Sequence, residues 1–487
     1  MARAAFQDVS KLLSGSVIAK LFGVASTMLF ARLLTKDQMA IFPVFLMLAG
    51  IPNLVLTFGI FSTFMRELPR LFREDEARAR GLVMTGSLVV IACTITAAVS
   101  AAVFSGEIAR LVFRNAAQGW IIQGLAPGFV AYVIAKIGES VVSGRGQFGR
   151  ISAVQIVDSV FRPLVTIGAF FAFGVKGVVI GIVAAQFLIA AQYLFYMRDI
   201  LFVAGTPFYP VRALFAESMP YYVGNFLSYL RGDGDTLLVT TFLGPAAVAE
   251  YYVAKNLYAN VVLIQNAVDW VAVERLARFA RTPSFQEKLS ELNERIAQLM
   301  VPFTLLVVAL APHAIAILAG PRYASSTWPA VVLLFAALAQ FIAIPVERAV
   351  FVAAPGILRV YFAVFEVLTV LASAALLVPQ VGILGVAAAR VISPVTGWLF
   401  GLVLLKRRFN LVLSLDAVAR VLLAGVPVSA VILWLAPRPT GFADAVIGAA
   451  VAGAFWVASF AALTLLVNRP MFLAAREIVS HRLKLLG

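Results

Sequence analysis

The stretch LRGDGDTLLVTTFLGPAAVAEYY, Leu230 to Tyr252, places Arg231, Asp233 and Asp235 in a chain whose other long segments are almost wholly apolar. A charged side chain at mid-bilayer costs roughly 2.5 to 3.5 kcal/mol on insertion scales, so it normally faces a bundle interior or a wet cavity, paired or put to use. The stretch therefore points to a polytopic transporter with a polar central cavity. Arg231 and Asp235 are four apart, share one helical face and can partly neutralise each other. Asp233 points about 160° away from both. Either this helix is polar on two sides, or Gly232 and Gly234 loosen it locally; the plainer alternative is a hydrated helix end or a loop.

Composition agrees with a membrane setting. Of 487 residues, 62% are hydrophobic and 13% charged, against about 45 to 50% and 25% in soluble domains. The net charge of +15 is better explained by loop placement than by nucleic acid, because no basic run with interleaved aromatics lies outside the apolar segments. Cys93 is the single cysteine, and His313 and His481 are the only histidines. That removes intramolecular disulfides, thiolate metal sites and most general-base chemistry. No cofactor is expected beyond a coupling proton or sodium ion. The N-terminal segment MARAAFQDVSKLLSGS leads into an apolar stretch too long, and too polar at its far end, for a cleaved signal; it is taken as the first spanning helix.

Windows of about 20 apolar residues fall near 12–33, 41–64, 82–104, 119–143, 151–173 and 175–197, then near 217–243, 246–273, 299–319, 328–353, 357–379 and 381–405, and finally near 417–436 and 443–467. The pattern predicts an all-α polytopic protein of about fourteen transmembrane helices. It is organised as a six-helix lobe over 1–200, a second over 201–410, and a helix pair with a basic tail over 411–487. Lys and Arg separate by side: 25 sit at the termini and at the loops after even-numbered helices, seven at the opposite loops and seven in or beside spans. Cytoplasmic loops retain such residues, so both termini are expected in the cytoplasm.

The halves echo each other. ARLLTKDQMAIFPVF (Ala31 to Phe45) and TTFLGPAAVAEYYVA (Thr240 to Ala254) match without gaps, Leu34 with Leu243 and Phe42 with Tyr251. GVVIGIVAAQF (Gly177 to Phe187) resembles GILGVAAARV (Gly382 to Val391), pairing Gly181 with Gly385 and Gln186 with Arg390. This register sets Glu366 near Arg162. Repeats in the same direction imply lobes related by an axis along the membrane normal.

On these junctions the chain resembles the polysaccharide transport family, the Wzx-type lipid-linked oligosaccharide flippases of the multidrug/oligosaccharidyl-lipid/polysaccharide (MOP) exporter superfamily. Asp235, Leu243, Gly244, Pro245 and Tyr251 fit that family's pattern of an acid before a Leu-Gly-Pro step and an aromatic. Met39 and Ala40 depart from its usual Phe-Gly, and Arg231 with Asp233 makes the seventh helix more charged than usual. The resemblance implies two six-helix lobes around a V-shaped cavity, alternating access, and movement of an undecaprenyl-pyrophosphate-linked glycan to the outer leaflet of a bacterial cytoplasmic membrane. It also implies a monomer, working beside other polysaccharide-assembly membrane proteins.

Such a transporter needs a cationic place for pyrophosphate, a polar lining for sugars and an apolar opening for the lipid. Lys136 with Glu139, and Asp158 with Arg162, sit three and four apart, and neutralisation within the helix weighs as much as a substrate role. Lys20, Lys255 and Arg390 have no acid three or four positions away and are the better phosphate candidates, with Arg231 beside them. Tyr251 and Tyr258 flank Lys255 at helical spacing and offer stacking surface for sugar rings. The alternatives are that Lys20 snorkels to the interface and that Arg390 pairs with Glu366. Asp233, Asp269 and Glu366, with Asp235, are candidates for a coupling ion, because protonation or ion binding cancels the burial penalty; a cation on another helix is the equal alternative. The basic loops RELPRLFREDEARARG and ERLARFARTPSFQEKLSELNERIAQ are expected to lie along the cytoplasmic interface against anionic lipid.

Rival readings are a peptidoglycan lipid-precursor flippase, for which only Lys20 stands in an expected Arg-rich first helix, and a multidrug or cation antiporter, which would want an acidic cavity. A membrane glycan polymerase needs a large extracytoplasmic loop; none longer than roughly fifteen residues is read here.

Overall fold

The computed structural model describes residues 21–201, 203, 207–232, 234–279, 282–353, 356–435 and 438–467. Lys20 and Asp233 lie outside them, as does the side chain of Arg231. Among the described residues there are helices and no strand. The first apolar helices are α1 (Leu21–Leu33) and α2 (Lys36–Val55). An amphipathic α3 (Ile60–Glu74) precedes α4 (Glu76–Val103), α5 (Ser105–Phe113) and α6 (Gly119–Gly144). Then come α7 (Phe148–Phe173), α8 (Val175–Leu201), α9 (Val211–Gly232), α10 (Gly234–Leu243) and α11 (Pro245–Phe279). The remainder is α12 (Phe285–Ala309), α13 (Ala311–Ala319), α14 (Thr327–Ala353), α15 (Gly356–Val381), α16 (Ile383–Phe409), α17 (Asp416–Leu435) and α18 (Phe442–Val467). Ten of the described helices are long and apolar enough to cross a membrane, so the protein is a multi-pass, all-α membrane protein as the hydropathy pattern predicts.

The chain forms two compact units, Met1–Ala249 and Glu250–Gly487. The first takes in α9 and α10, because α9 packs on α2, α3 and α4. Contacts therefore divide the chain later than residue 200, where the hydropathy windows divide it. The segment leading into α9 is tied to α4: the Tyr209 amide donates to Thr85 Oγ1 (2.9 Å), Arg78 donates to the Tyr209 hydroxyl (3.1 Å), and that hydroxyl donates to Glu217 Oε1 (2.7 Å). Burial holds the Tyr209 phenol above its ordinary pKa, with Arg78 opposing and Glu217 reinforcing the shift. At Gly59, φ is 78°, and the α9 backbone at Ser218 and Tyr222 lies where a side chain would begin. Glycine serves there both the left-handed turn and the close approach.

In the second unit, α17 and α18 pack on α12 through Leu305, Val421, Val428 and Trp456. Ser429 Oγ donates to the Leu305 carbonyl (2.9 Å) and accepts from Trp456 Nε1 (2.9 Å), which satisfies two buried polar groups at once.

The internal repeat is visible in the helix bounds. Helices α6 and α8 start at residues 119 and 175, and α14 and α16 at residues 327 and 383, a constant offset of 208. Turn geometry agrees: Gly174 has φ 61° and ψ −136°, and Gly382 has φ 58° and ψ −127°. A side chain on Gly177 would meet the Ala169 carbonyl, and one on Gly385 the Leu377 carbonyl. The sequence pairing of Gly181 with Gly385 and Gln186 with Arg390 is thus one helical turn out. A four-residue slip keeps the same face of a helix turned to its neighbour, so a stripe of small residues tolerates it. In the structural register Asp158, not Arg162, corresponds to Glu366, and Glu139 corresponds to Glu347. The lobes are alike in acid there, not opposite in charge. The other junction stands as read: α2 begins at Lys36 and α11 at Pro245, keeping Leu34 opposite Leu243 in the repeat.

The two basic loops differ. RELPRLFRE forms most of α3, whose Ile60, Phe64, Leu68 and Leu71 are buried. The other loop is no separate interfacial helix among the described residues: α11 runs on to Phe279, and α12 begins at Phe285. Its start is pinned to the segment before α17, Asn293 donating to the Ser414 carbonyl at 2.9 Å and Gln286 to that of Val412. The apolar face Phe285, Leu289, Leu292 and Ile296 of α12 is buried within the protein.

Candidate functional site

Each unit holds charged side chains among apolar helices. In the first, α6 carries Lys136 and Glu139 on one face, with Nζ to Oε2 at 2.7 Å. On α7, Asp158 and Arg162 close at 2.8 Å. Gln186 of α8, with its amide oxygen turned to the guanidinium, accepts from Arg162 at 2.8 and 3.2 Å. Aromatic rings lie near both cations: Lys136 lies 5.9 Å from the Tyr132 centroid and Arg162 5.8 Å from that of Phe42. Tyr132, Lys136, Glu139, Asp158, Arg162 and Gln186 border a cavity of about 240 Å³ that also meets Gln155, Ile189 and Tyr193. At about 30 Å³ per molecule it has room for several waters. Two cations and two anions leave it neutral overall but rich in donors and acceptors. Both predicted intrahelical pairs form; their convergence on one cavity was not predicted.

In the second unit Glu366 on α15 and Arg390 on α16 are 2% and 8% exposed, on helices packed along their length. Ser393 Oγ donates to the Glu366 carbonyl (3.1 Å), and a methyl on Gly397 would sit 3.0 Å from Glu366 Oε1. The Arg390 guanidinium lies 5.5 Å from the Tyr258 ring centroid. Gln340 of α14 donates to the Tyr258 hydroxyl at 2.9 Å. Tyr251 is also buried, and Lys255 is half-buried between the two tyrosines on α11. The structure thus brings Tyr258 and Arg390 together, as a cation over a ring.

Asp269 sits apart from these. Arg348 Nε reaches its Oδ1 at 2.5 Å, and Arg348 also lies 3.6 Å from Glu347. Its cation comes from another helix, the alternative left open by the sequence; Arg348 is inside α14. Asp235 is buried in the first turn of α10, its Oδ1 accepting from the Thr236 amide at 2.6 Å. Helix α9 is described to Gly232 and α10 from Gly234; Asp233 between them lies outside the described residues. Sequence reasoning passed over Gln155, Gln186, Gln340 and Arg348. Glutamine inside an apolar window was the available signal for three of them.

Fold and site together define a multi-pass helical membrane protein that keeps paired charge within its spans, the build of a transporter. The chain belongs to the polysaccharide biosynthesis protein family, whose model matches residues 29–328. The fold is similar to that of the lipid II flippase MurJ in an inward closed conformation, at TM-score 0.74 and 13% identity, covering 94% of this chain and 99% of that one. It is also similar to an inward-facing multidrug resistance MATE family transporter of the MOP superfamily, at TM-score 0.67 and 13% identity over 80% and 94% of the two chains. A MOP superfamily transporter from Pyrococcus furiosus matches at TM-score 0.54 and 14% identity, over 80% and 93%. No curated protein matches the chain. The resemblance read from the two junctions is borne out, and the fold is that of MOP transporters.

Proposed function

We propose that this protein moves a polyprenyl-pyrophosphate-linked glycan across a bacterial cytoplasmic membrane by alternating access, with both termini in the cytoplasm. The observation that carries the reading is the family match over 29–328 on a multi-pass chain that buries Glu366 and Arg390 in its spans. A flippase breaks no bond; it must exchange hydration for protein partners as its cargo crosses. Arg390, Lys255 and Arg231 are the cations assigned to pyrophosphate, and Tyr251 and Tyr258 the aromatic surface near them. The neutral cavity of Lys136, Glu139, Asp158 and Arg162 supplies donors and acceptors of the kind sugars take. Glu366 is assigned to a coupling proton or sodium ion, with Asp235 as a second candidate.

The test is to replace Lys255, Arg390 and Asp235 singly with Ala, confirm membrane insertion, and follow arrival of lipid-linked glycan at the outer leaflet. Loss of arrival at normal protein level supports the assignment; normal transport in all three removes the cationic-site account. A second reading, a peptidoglycan-precursor flippase, is favoured by the MurJ likeness extending over 94% of the chain. Rescue of a host depleted of its peptidoglycan-precursor flippase would select it.

A further inference from the structure

We propose that the cleft between α12, α13, α14 and α17 is a binding site for a membrane phospholipid with an anionic headgroup. The cleft has a volume of about 970 Å³, at the upper end of the roughly 300 to 1,000 Å³ typical of ligand sites. Its walls are apolar: Val308 and Ile315, Val331 and Phe335, Val426 and Leu433. Ser429 lies in the wall, but its hydroxyl is already engaged by the Leu305 carbonyl and Trp456. Water therefore finds few partners inside, and an acyl chain fits the chemistry.

The mouth is different. Ser325, Thr327 and Arg438 gather at one end, where the connections are poor in Lys and Arg. Arg438 is exposed and has no hydrogen bond or ion pair among the described residues. Trp328 and Trp434 also line this cleft and are 57% and 85% exposed; tryptophans at span ends mark the headgroup level of a bilayer. A guanidinium there meets a phosphate by paired, charge-assisted hydrogen bonds. A chain that leaves the bilayer for this cleft gains little, since lipid tails are as apolar as the walls. Selectivity then rests on Arg438, and the expected occupant is a phospholipid with net negative charge. By filling the space beside α17, that lipid ties the extra helix pair to α12 and α14.

Native mass spectrometry of the purified full chain, offered phosphatidylglycerol or phosphatidylcholine with identical acyl chains, tests this. The wild type is expected to retain phosphatidylglycerol roughly tenfold more, the effect of one charge-assisted contact. Arg438→Ala should equalise the two lipids, and Ala430→Trp, which fills the cleft, should lose both adducts. A second readout stands whether or not Ala430→Trp inserts: phosphatidylglycerol brominated on its chains, added at a few molecules per protein, should quench wild-type tryptophan fluorescence and quench a Trp328→Phe, Trp434→Phe variant far less. Equal retention of both lipids by the wild type, preference undiminished in Arg438→Ala, an adduct with the mass of a polyprenyl carrier, or quenching unchanged in the double variant would each overturn the proposal.

Discussion

Asp158 on α7 and Glu366 on α15 hold the same place in the internal repeat, and their surroundings differ. Asp158 has its cation one turn along its own helix, Arg162 at 2.8 Å. Glu366 has no base within a turn of α15; it lies against Ser393 and Gly397 of α16, the helix that also carries Arg390. The same contrast holds for Glu139, with Lys136 on its own helix at 2.7 Å, and Glu347, whose neighbour Arg348 reaches across to Asp269 of α11. A pair within one helix survives any movement of that helix as a body. A pair between helices changes whenever they shift. The first unit thus has the makings of a constant polar surface, and the second of a part whose charge state depends on packing, which is what coupling to an ion requires.

The largest effect that tests this contrast is expected at Glu366→Gln. The substitution keeps shape and removes the charge, so the proposed ion-coupled transport should fall roughly tenfold or more at normal protein level, while Asp158→Asn falls less. Equal losses in glycan arrival at the outer leaflet would end the distinction. Next, Arg348→Ala leaves Asp269 and Glu347 facing each other's charge without their shared cation. With the Arg348 and Asp269 side chains 22% and 29% exposed, the cost should lie near the lower end of that for broken buried pairs, about 3 kcal/mol, read as lost thermal stability in detergent.

Arg162→Ala should cost less, about 1 to 2 kcal/mol, because the cavity beside Asp158 admits water to the stranded carboxylate. A second change, Asp158→Asn, should recover most of that loss, and a double-mutant cycle reads the coupling directly. The smallest effect belongs to Lys136→Met with Glu139→Gln. Their side chains are 38% and 36% exposed, so the pair should contribute about 0.5 kcal/mol or less. A larger loss there would mean that the pair serves as more than local neutralisation, and glycan transport by the same variant would show whether that service is to the substrate.

Much of this was legible before any coordinates. Hydropathy located the spans. Lys136–Glu139 and Asp158–Arg162 followed from spacing alone, since three and four residues bring side chains together on any α-helix. The register of the second repeat match did not follow, because small residues recur at one-turn intervals and a slip of four leaves the pattern intact. Tyr258 with Gln340, and Asp269 with Arg348, are separated by 82 and 79 residues, and nothing local specifies such meetings.

By itself the sequence determined that this chain lives in a membrane, as helices, in two echoing halves, with its first-unit charges neutralised in place. Each of those depends on interactions within a few residues or on transfer of a single segment out of water. Which cation faces Asp269, how deeply Glu366 and Arg390 are buried, and that an apolar cleft opens toward Arg438 were decided by the tertiary structure, because helix packing alone sets distances between residues far apart in the chain.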